Sequence, residues 1–86
     1  MKSGKTEQDL NELLKRIEIN PKVLAGKPII RGTRLSVDFI LSLFAQSWSE
    51  EEILKNYPHL KKEDLQAVFY YAYLIIKDEQ VLPLSK

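Results

Sequence analysis

The chain contains no cysteine, one histidine and one tryptophan among its 86 residues. Without cysteine it has no disulfide, no thiolate nucleophile and no cysteine-ligated zinc site. His59, in "YPHL", has no second histidine or cysteine to share a metal ion with, and we interpret it as a turn residue. The sequence therefore predicts no metal site.

Long apolar runs are also missing. The longest, "AVFYYAYLII", has ten residues, whereas a membrane-spanning helix needs about 20. The N-terminus "MKSGKTEQDL" has no apolar core and does not resemble a signal peptide. Together with the lack of cysteine, these features predict a cytoplasmic protein without membrane contact.

Catalytic patterns are not found either. We find no nucleophile–base pair, and we interpret Glu50, Glu51 and Glu52 as a solvated helix start. "GKP" at residues 26–28 cannot form a phosphate loop, which needs Gly-Lys-[Ser/Thr] before a helix. The sequence predicts a protein that is not an enzyme, with no cofactor and no small-molecule substrate.

What is present is an ordinary apolar content of 44% and an uneven distribution of charge. Residues 1–37 carry a net charge of +4 and residues 38–86 a net charge of −3. A basic N-terminal half suits a polyanion or an acidic partner. A single domain of this size buries a small core, which favours self-association.

Periodicity and capping residues predict a mainly α fold. A short helix at residues 6–17 is followed by a strand at Ile17–Ile19 and by "GKPIIRGTRLSV", a β-arm that ends at the helix cap Ser36. Three more helices follow, in "VDFILSLFAQ", in "SEEEILKNYP" with a capping box from Ser49 to Glu52, and in "KKEDLQAVFYYAYLIIKDEQ". Their short connections indicate a three-helix homeodomain-like or winged-helix-like helix-turn-helix bundle with an N-terminal β-arm or hairpin and an extra N-terminal helix. We divide the chain into an extension (1–15), a domain (16–80) whose arm is 16–37, and a tail (81–86) on the surface or on a partner.

The last helix is apolar on two sides, and two interpretations stay open. A stripe predicted to face the core consists of Leu65, Val68, Phe69, Ala72, Ile75 and Ile76. A second face carries Ala67, Tyr70, Tyr71 and Leu74. This second face is either buried in the same core or a dimer interface, for which Tyr70, Tyr71 and Leu74 are the candidates.

Contacts to DNA or to a protein partner have two sets of candidates. In the last helix only Lys61, Lys62 and Gln66 suit base or phosphate contact, and Glu63 and Asp64 would repel phosphate. The arm adds the candidates Lys27, Arg31 and Arg34, with Arg16 and Lys22 nearby. The alternative for Arg31 and Arg34 is that they form ion pairs with Asp38 or Glu18.

The segments "INPKVLAGKPIIRGTRLSV" and "SEEEILKNYPHLKKEDLQAVFYYA" resemble the prokaryotic domain-of-unknown-function family 433. The resemblance implies a homeodomain-like domain with a β-arm, usually dimeric, and an antitoxin paired with a toxin similar to PIN-type ribonucleases. Three positions depart from the family pattern, which favours Gly at Ala25, Gly at Ser47 and Thr at Lys61.

The resulting expectation is an antitoxin that neutralises a PIN-like ribonuclease toxin and binds its own operator DNA as a homodimer. The alternatives are a stand-alone DNA-binding transcriptional regulator and a structural dimerisation module. The salt dependence of DNA binding separates them, because contacts to phosphate weaken steeply with salt.

Overall fold

The computed structural model describes residues 4–78. Its elements are α1 (Glu7–Leu14), β1 (Ile17–Ile19), β2 (Pro28–Ile30), α2 (Val37–Ala45), α3 (Glu50–Asn56) and α4 (Lys62–Asp78). The predicted mainly helical fold, with an N-terminal hairpin and an extra first helix, is confirmed. The predicted tail, 81–86, and the last two residues of the predicted domain lie outside the described residues. Within 4–78, no helix is both long and apolar enough to span a membrane.

The first three helices begin at side-chain caps. The Thr6 hydroxyl accepts a hydrogen bond from the backbone N–H of Asp9 at 3.1 Å, and Ser36 caps α2. Ser49 and Glu52 form a reciprocal capping box, with distances of 2.8 and 3.0 Å. Each such cap stabilises its helix by about 1 kcal/mol because it satisfies backbone donors that have no partner within the helix.

The hairpin joins β1 and β2 in antiparallel register, with Ile17 opposite Ile30 and Ile19 opposite Pro28. Pro28 lacks a backbone N–H and lies at the strand start, where that donor is not needed. In the connection, the turn Leu24–Gly26 is left-handed, with φ angles of 49°, 56° and 83°. Glycine tolerates this backbone, whereas it is strained for the two residues before it.

A second reversal after β2 leads the chain into α2. Gly32 has a φ of 82° in this turn, and the N–H of Ile30 donates to the carbonyl of Leu35 at 2.9 Å. The chain from Gly26 to Val37 therefore folds back on itself, with Ile29 opposite Ser36, and leads to the Ser36 cap.

The core lies where β2 and the last three helices meet. Its most buried large side chains are Ile30, Ile40, Ile53, Leu65 and Val68, all at most 2% exposed. Burial of each contributes roughly 1.5–3 kcal/mol. The helix α1 packs along α4 and buries Leu13.

The burial of side chains in the second half of the long helix α4 differs from the sequence prediction. Phe69, Ile75 and Ile76, predicted to face the core, are 48%, 44% and 62% exposed, so this part of the prediction is wrong. Ala67, assigned to the second face, is fully buried. The reason is that the buried residues of α4 all lie in its first half, and its second half extends past the part of the bundle that covers it.

Candidate functional site

The exposed side of α4 carries an apolar surface. Phe69, Tyr73 and Ile76 are 48%, 56% and 62% exposed, and their spacing of i, i+4 and i+7 puts them on one side of the helix. We call these three residues the apolar face. Lys62 and Gln66 precede them on the same stripe, so the stripe is polar where α4 begins and apolar where it ends.

Neighbouring aromatic rings position the apolar face. The ring of Phe69 lies 4.8 Å from the ring of Phe44 on α2, measured between centroids. The ring of Tyr73 stacks on that of Tyr70 at 6.1 Å. Aromatic pairs at these distances interact favourably beyond simple burial, so the face is held by contacts within the fold.

An apolar groove adjoins this face between α2 and the end of α4. It has a volume of about 410 Å³, and Leu41, Ala72, Ile75 and Ile76 are among its lining residues. Ile76 belongs to both the groove and the apolar face. Covering an apolar surface of this kind is favourable because burial releases water from it.

The three predicted dimer-interface residues have different surroundings. Tyr71 is half-buried against the core, and Leu74 lines a groove with Leu14 and Ile17. Tyr70 is half-buried beside Tyr73. Their role in a dimer stays a prediction. Sequence reasoning left Tyr73 unassigned, although its spacing from Phe69 and Ile76 was visible.

A second surface is polar and lies between α1, the turn after β2 and the start of α4. We call it the basic groove; it has a volume of about 390 Å³. Its lining residues are Glu12, Lys15, Arg16, Arg31, Lys61 and Asp64. It unites two of the predicted contact residues, Arg31 and Lys61, with Lys15, which sequence reasoning missed.

Hydrogen bonds to the end of α1 hold Arg31 in the basic groove. Its side-chain Nε donates to the carbonyl of Lys15 at 2.6 Å, and its backbone N–H donates to the carbonyl of Arg16 at 2.7 Å. The alternative that Arg31 and Arg34 form ion pairs with Asp38 or Glu18 is wrong. Within residues 4–78 neither arginine forms an ion pair.

Asp64 joins the two sides of the basic groove. One carboxylate oxygen accepts a hydrogen bond from Arg16 Nη1 at 3.0 Å, and the other accepts from the backbone N–H of Lys61 at 2.9 Å. The residue is 8% exposed. The expectation that Asp64 repels phosphate is therefore corrected, because the guanidinium of Arg16 compensates its charge. No local pattern indicates this pair, whose members lie 48 residues apart.

The remaining candidates lie elsewhere. Lys27 and Arg34 share a groove beside α2 with Asp38, and Lys27 Nζ pairs with the Asp38 carboxylate at 3.1 Å. The pKa of Asp38 is lowered, first by a hydrogen bond with the Ser36 hydroxyl and second by the Lys27 ammonium. Lys62 is exposed at the start of α4 and Gln66 is half-buried one turn later.

Comparison with known proteins finds the same fold and family. Residues 17–72 match the model of a family described as "Protein of unknown function (DUF433)". A crystal structure of a DUF433 member protein from Anabaena variabilis ATCC 29413 is 30% identical, with a TM-score of 0.69; the match covers 86% of this chain and 80% of that one. An uncharacterized protein, y4eO, from Sinorhizobium fredii (strain NBRC 101917 / NGR234) is 31% identical over 64 residues; these are 74% of this chain but only 29% of that protein. The chain belongs to the DUF433 family.

Proposed function

We propose that this protein is an antitoxin-type binding protein whose apolar face contacts a ribonuclease-like toxin. The observation that carries the proposal is the apolar face itself, with Phe69, Tyr73 and Ile76 each about half exposed on one side of α4. Aromatic side chains are enriched where protein surfaces meet.

The chemistry of the face favours a protein over DNA as its ligand. In a helix-turn-helix domain the corresponding helix offers polar and basic side chains to base edges. Phe69 and Ile76 have no group that forms a hydrogen bond with a base. A protein partner would instead cover the face and the adjoining groove, and thereby remove apolar surface from water.

The identity of the partner rests on the family resemblance, which pairs such domains with toxins similar to PIN-type ribonucleases. An antitoxin of this kind works by occupying its partner, so it needs a binding surface and no catalytic group. A second copy of the chain is the other occupant to be distinguished, because a dimer would also cover the face.

The test is co-expression of the tagged protein with the product of the gene adjacent to its own. We expect a complex of defined stoichiometry by size-exclusion chromatography with light scattering, and inhibition of RNA cleavage by that product. The double variant Tyr73→Glu/Ile76→Glu should lose both, because two charges would be buried without partners. Tyr73 and Ile76 are better targets than Leu74, because Leu74 lines a groove with Leu14 and Ile17 of the same chain.

A matched control is Lys22→Gln/Lys55→Gln, which changes the net charge by the same amount at two exposed positions outside α4. It should retain the complex. A homodimer that the glutamate variant disrupts, with no complex formed, would support a dimerisation module instead. Equal behaviour of both double variants would contradict the apolar face as the contact surface.

A further inference from the structure

We propose that the basic groove binds phosphate groups of a nucleic acid backbone, with Arg31 and Lys61 as the contact residues. The inference uses no residue of the apolar face and does not depend on the proposed function. Four observations carry it, namely the uncompensated charge, the fixed positions of the two residues, the space between them and their place beside α4.

The balance of charge in the basic groove is positive. Arg16 and Asp64 compensate each other at 3.0 Å. Lys15 lies 3.2 Å from Glu12, with both side chains more than half exposed. Arg31 and Lys61 are left with positive charges that no carboxylate within residues 4–78 pairs. The groove thus has an excess of two positive charges at its walls.

The fold positions the guanidinium of Arg31 and the backbone of Lys61 before any ligand binds. The Nε of Arg31 donates a hydrogen bond to the Lys15 carbonyl at 2.6 Å. This bond orients the guanidinium and leaves its terminal amino groups for an anion. The backbone of Lys61 is held by Asp64 at 2.9 Å. A forked guanidinium binds phosphate through two parallel hydrogen bonds, and a lysine adds a point charge. Preorganisation of this kind lowers the entropic cost of binding.

The neighbouring residues favour nucleic acid over an acidic protein. Lys62 directly follows Lys61 in the chain, is exposed at the start of α4 and can donate hydrogen bonds. In nucleic acid complexes, contacts to phosphate position a helix while polar residues at its start reach base edges. The basic groove would supply the first kind of contact and the start of α4 the second.

The experiment is a salt titration of the purified full chain, with a fluorescein-labelled random-sequence DNA duplex of about 20 base pairs, followed by anisotropy. Arg31→Gln and Lys61→Gln should each reduce the salt slope by about one. Because each contact contributes about −0.9 to that slope, affinity should fall roughly tenfold at about 50 mM salt. Lys61→Gln changes only an exposed side chain, so its result stands even if Arg31→Gln impairs folding, which circular dichroism would detect.

Arg34→Gln is the matched control. It removes the same charge from the same arm but lies outside the basic groove. An unchanged slope for this variant supports the proposal, whereas an equal loss would show that only net charge matters and would overturn it. The proposal also fails if the wild type shows no salt-dependent binding, or if poly-glutamate of equal charge displaces the duplex, since the groove would then bind an acidic protein.

Discussion

Asp64 connects the start of the hairpin with the start of α4 through one carboxylate. It accepts from Arg16 at the start of the hairpin and from the Lys61 N–H at the start of α4. Because Asp64 is buried, these hydrogen bonds stabilise the fold: a buried carboxylate without partners would lower the free energy of unfolding. Its neighbour Glu63 is exposed and makes a useful comparison.

We expect Asp64→Ala to lower the free energy of unfolding by about 1–3 kcal/mol, since it removes two charge-assisted hydrogen bonds and leaves Arg16 without its partner. Glu63→Ala should change it by less than about 0.5 kcal/mol. Urea denaturation followed by circular dichroism measures both. Equal effects of the two substitutions would contradict the structural role of Asp64.

Asp38 provides a prediction about pH. The Ser36 hydroxyl and the Lys27 ammonium lower its pKa in the folded protein. A carboxyl group with a lowered folded-state pKa stabilises the fold above its unfolded pKa of about 3.9, and this contribution is lost as pH falls through the folded-state value. Asp38→Asn should therefore be less stable than the wild type at neutral pH and equally stable at strongly acidic pH.

The size of this effect is small because both partners are exposed. The Lys27 and Asp38 side chains are 58% and 66% accessible, so solvent screening limits the difference to under about 1 kcal/mol. Thermal unfolding across the pH range measures it. In a Lys27→Gln background the effect of Asp38→Asn on stability at neutral pH should shrink; an effect of the same size in both backgrounds would exclude Lys27 as a cause.

At the scale of secondary structure, the end of α2 contains strain. Ser47 has a φ of 76° and directly follows the C-terminal cap Gln46. This is the position where helices most often end in glycine, because a Cβ is unfavourable in the left-handed region. The family resemblance leads us to expect glycine here, and the positive φ of Ser47 is a physical reason to favour it.

Ser47→Gly should raise the free energy of unfolding by about 1 kcal/mol, because it removes this backbone strain. Ser42→Gly, in the interior of the same helix, should lower it by roughly 0.5 kcal/mol or more, since it also removes a hydrogen bond of 2.6 Å to the Phe39 carbonyl. Differential scanning calorimetry on both variants gives the comparison. Destabilisation by Ser47→Gly would show that the serine makes a contact of its own.

At the scale of the whole molecule, the sequence predicts features that depend on adjacent residues. The caps at Ser36 and Ser49 and the strand Ile17–Ile19 follow from local chemistry, and all three are confirmed. The capping box that Thr6 forms with Asp9 depends in the same way on residues three positions apart.

Features that join distant segments could not be predicted in this way. Helical spacing indicates that Phe69 and Ile76 share a stripe with Val68, but not that the bundle covers only the first half of α4. Likewise, no pattern places Arg16 against Asp64, because that contact depends on how α1 and the hairpin pack against α4. The basic groove is therefore a property of the tertiary structure, although Arg31 and Lys61 were each candidates.

This assembly from distant segments has a thermodynamic consequence. Arg31 and Lys61 come together only in the folded chain, so an anion that needs both binds the native state and not the unfolded one. By linkage, a ligand at about 100 times its Kd would add roughly 2.7 kcal/mol to the stability of the fold. Since proteases act on opened chains, the lifetime of this small protein in the cell would then follow the concentration of whatever occupies its groove.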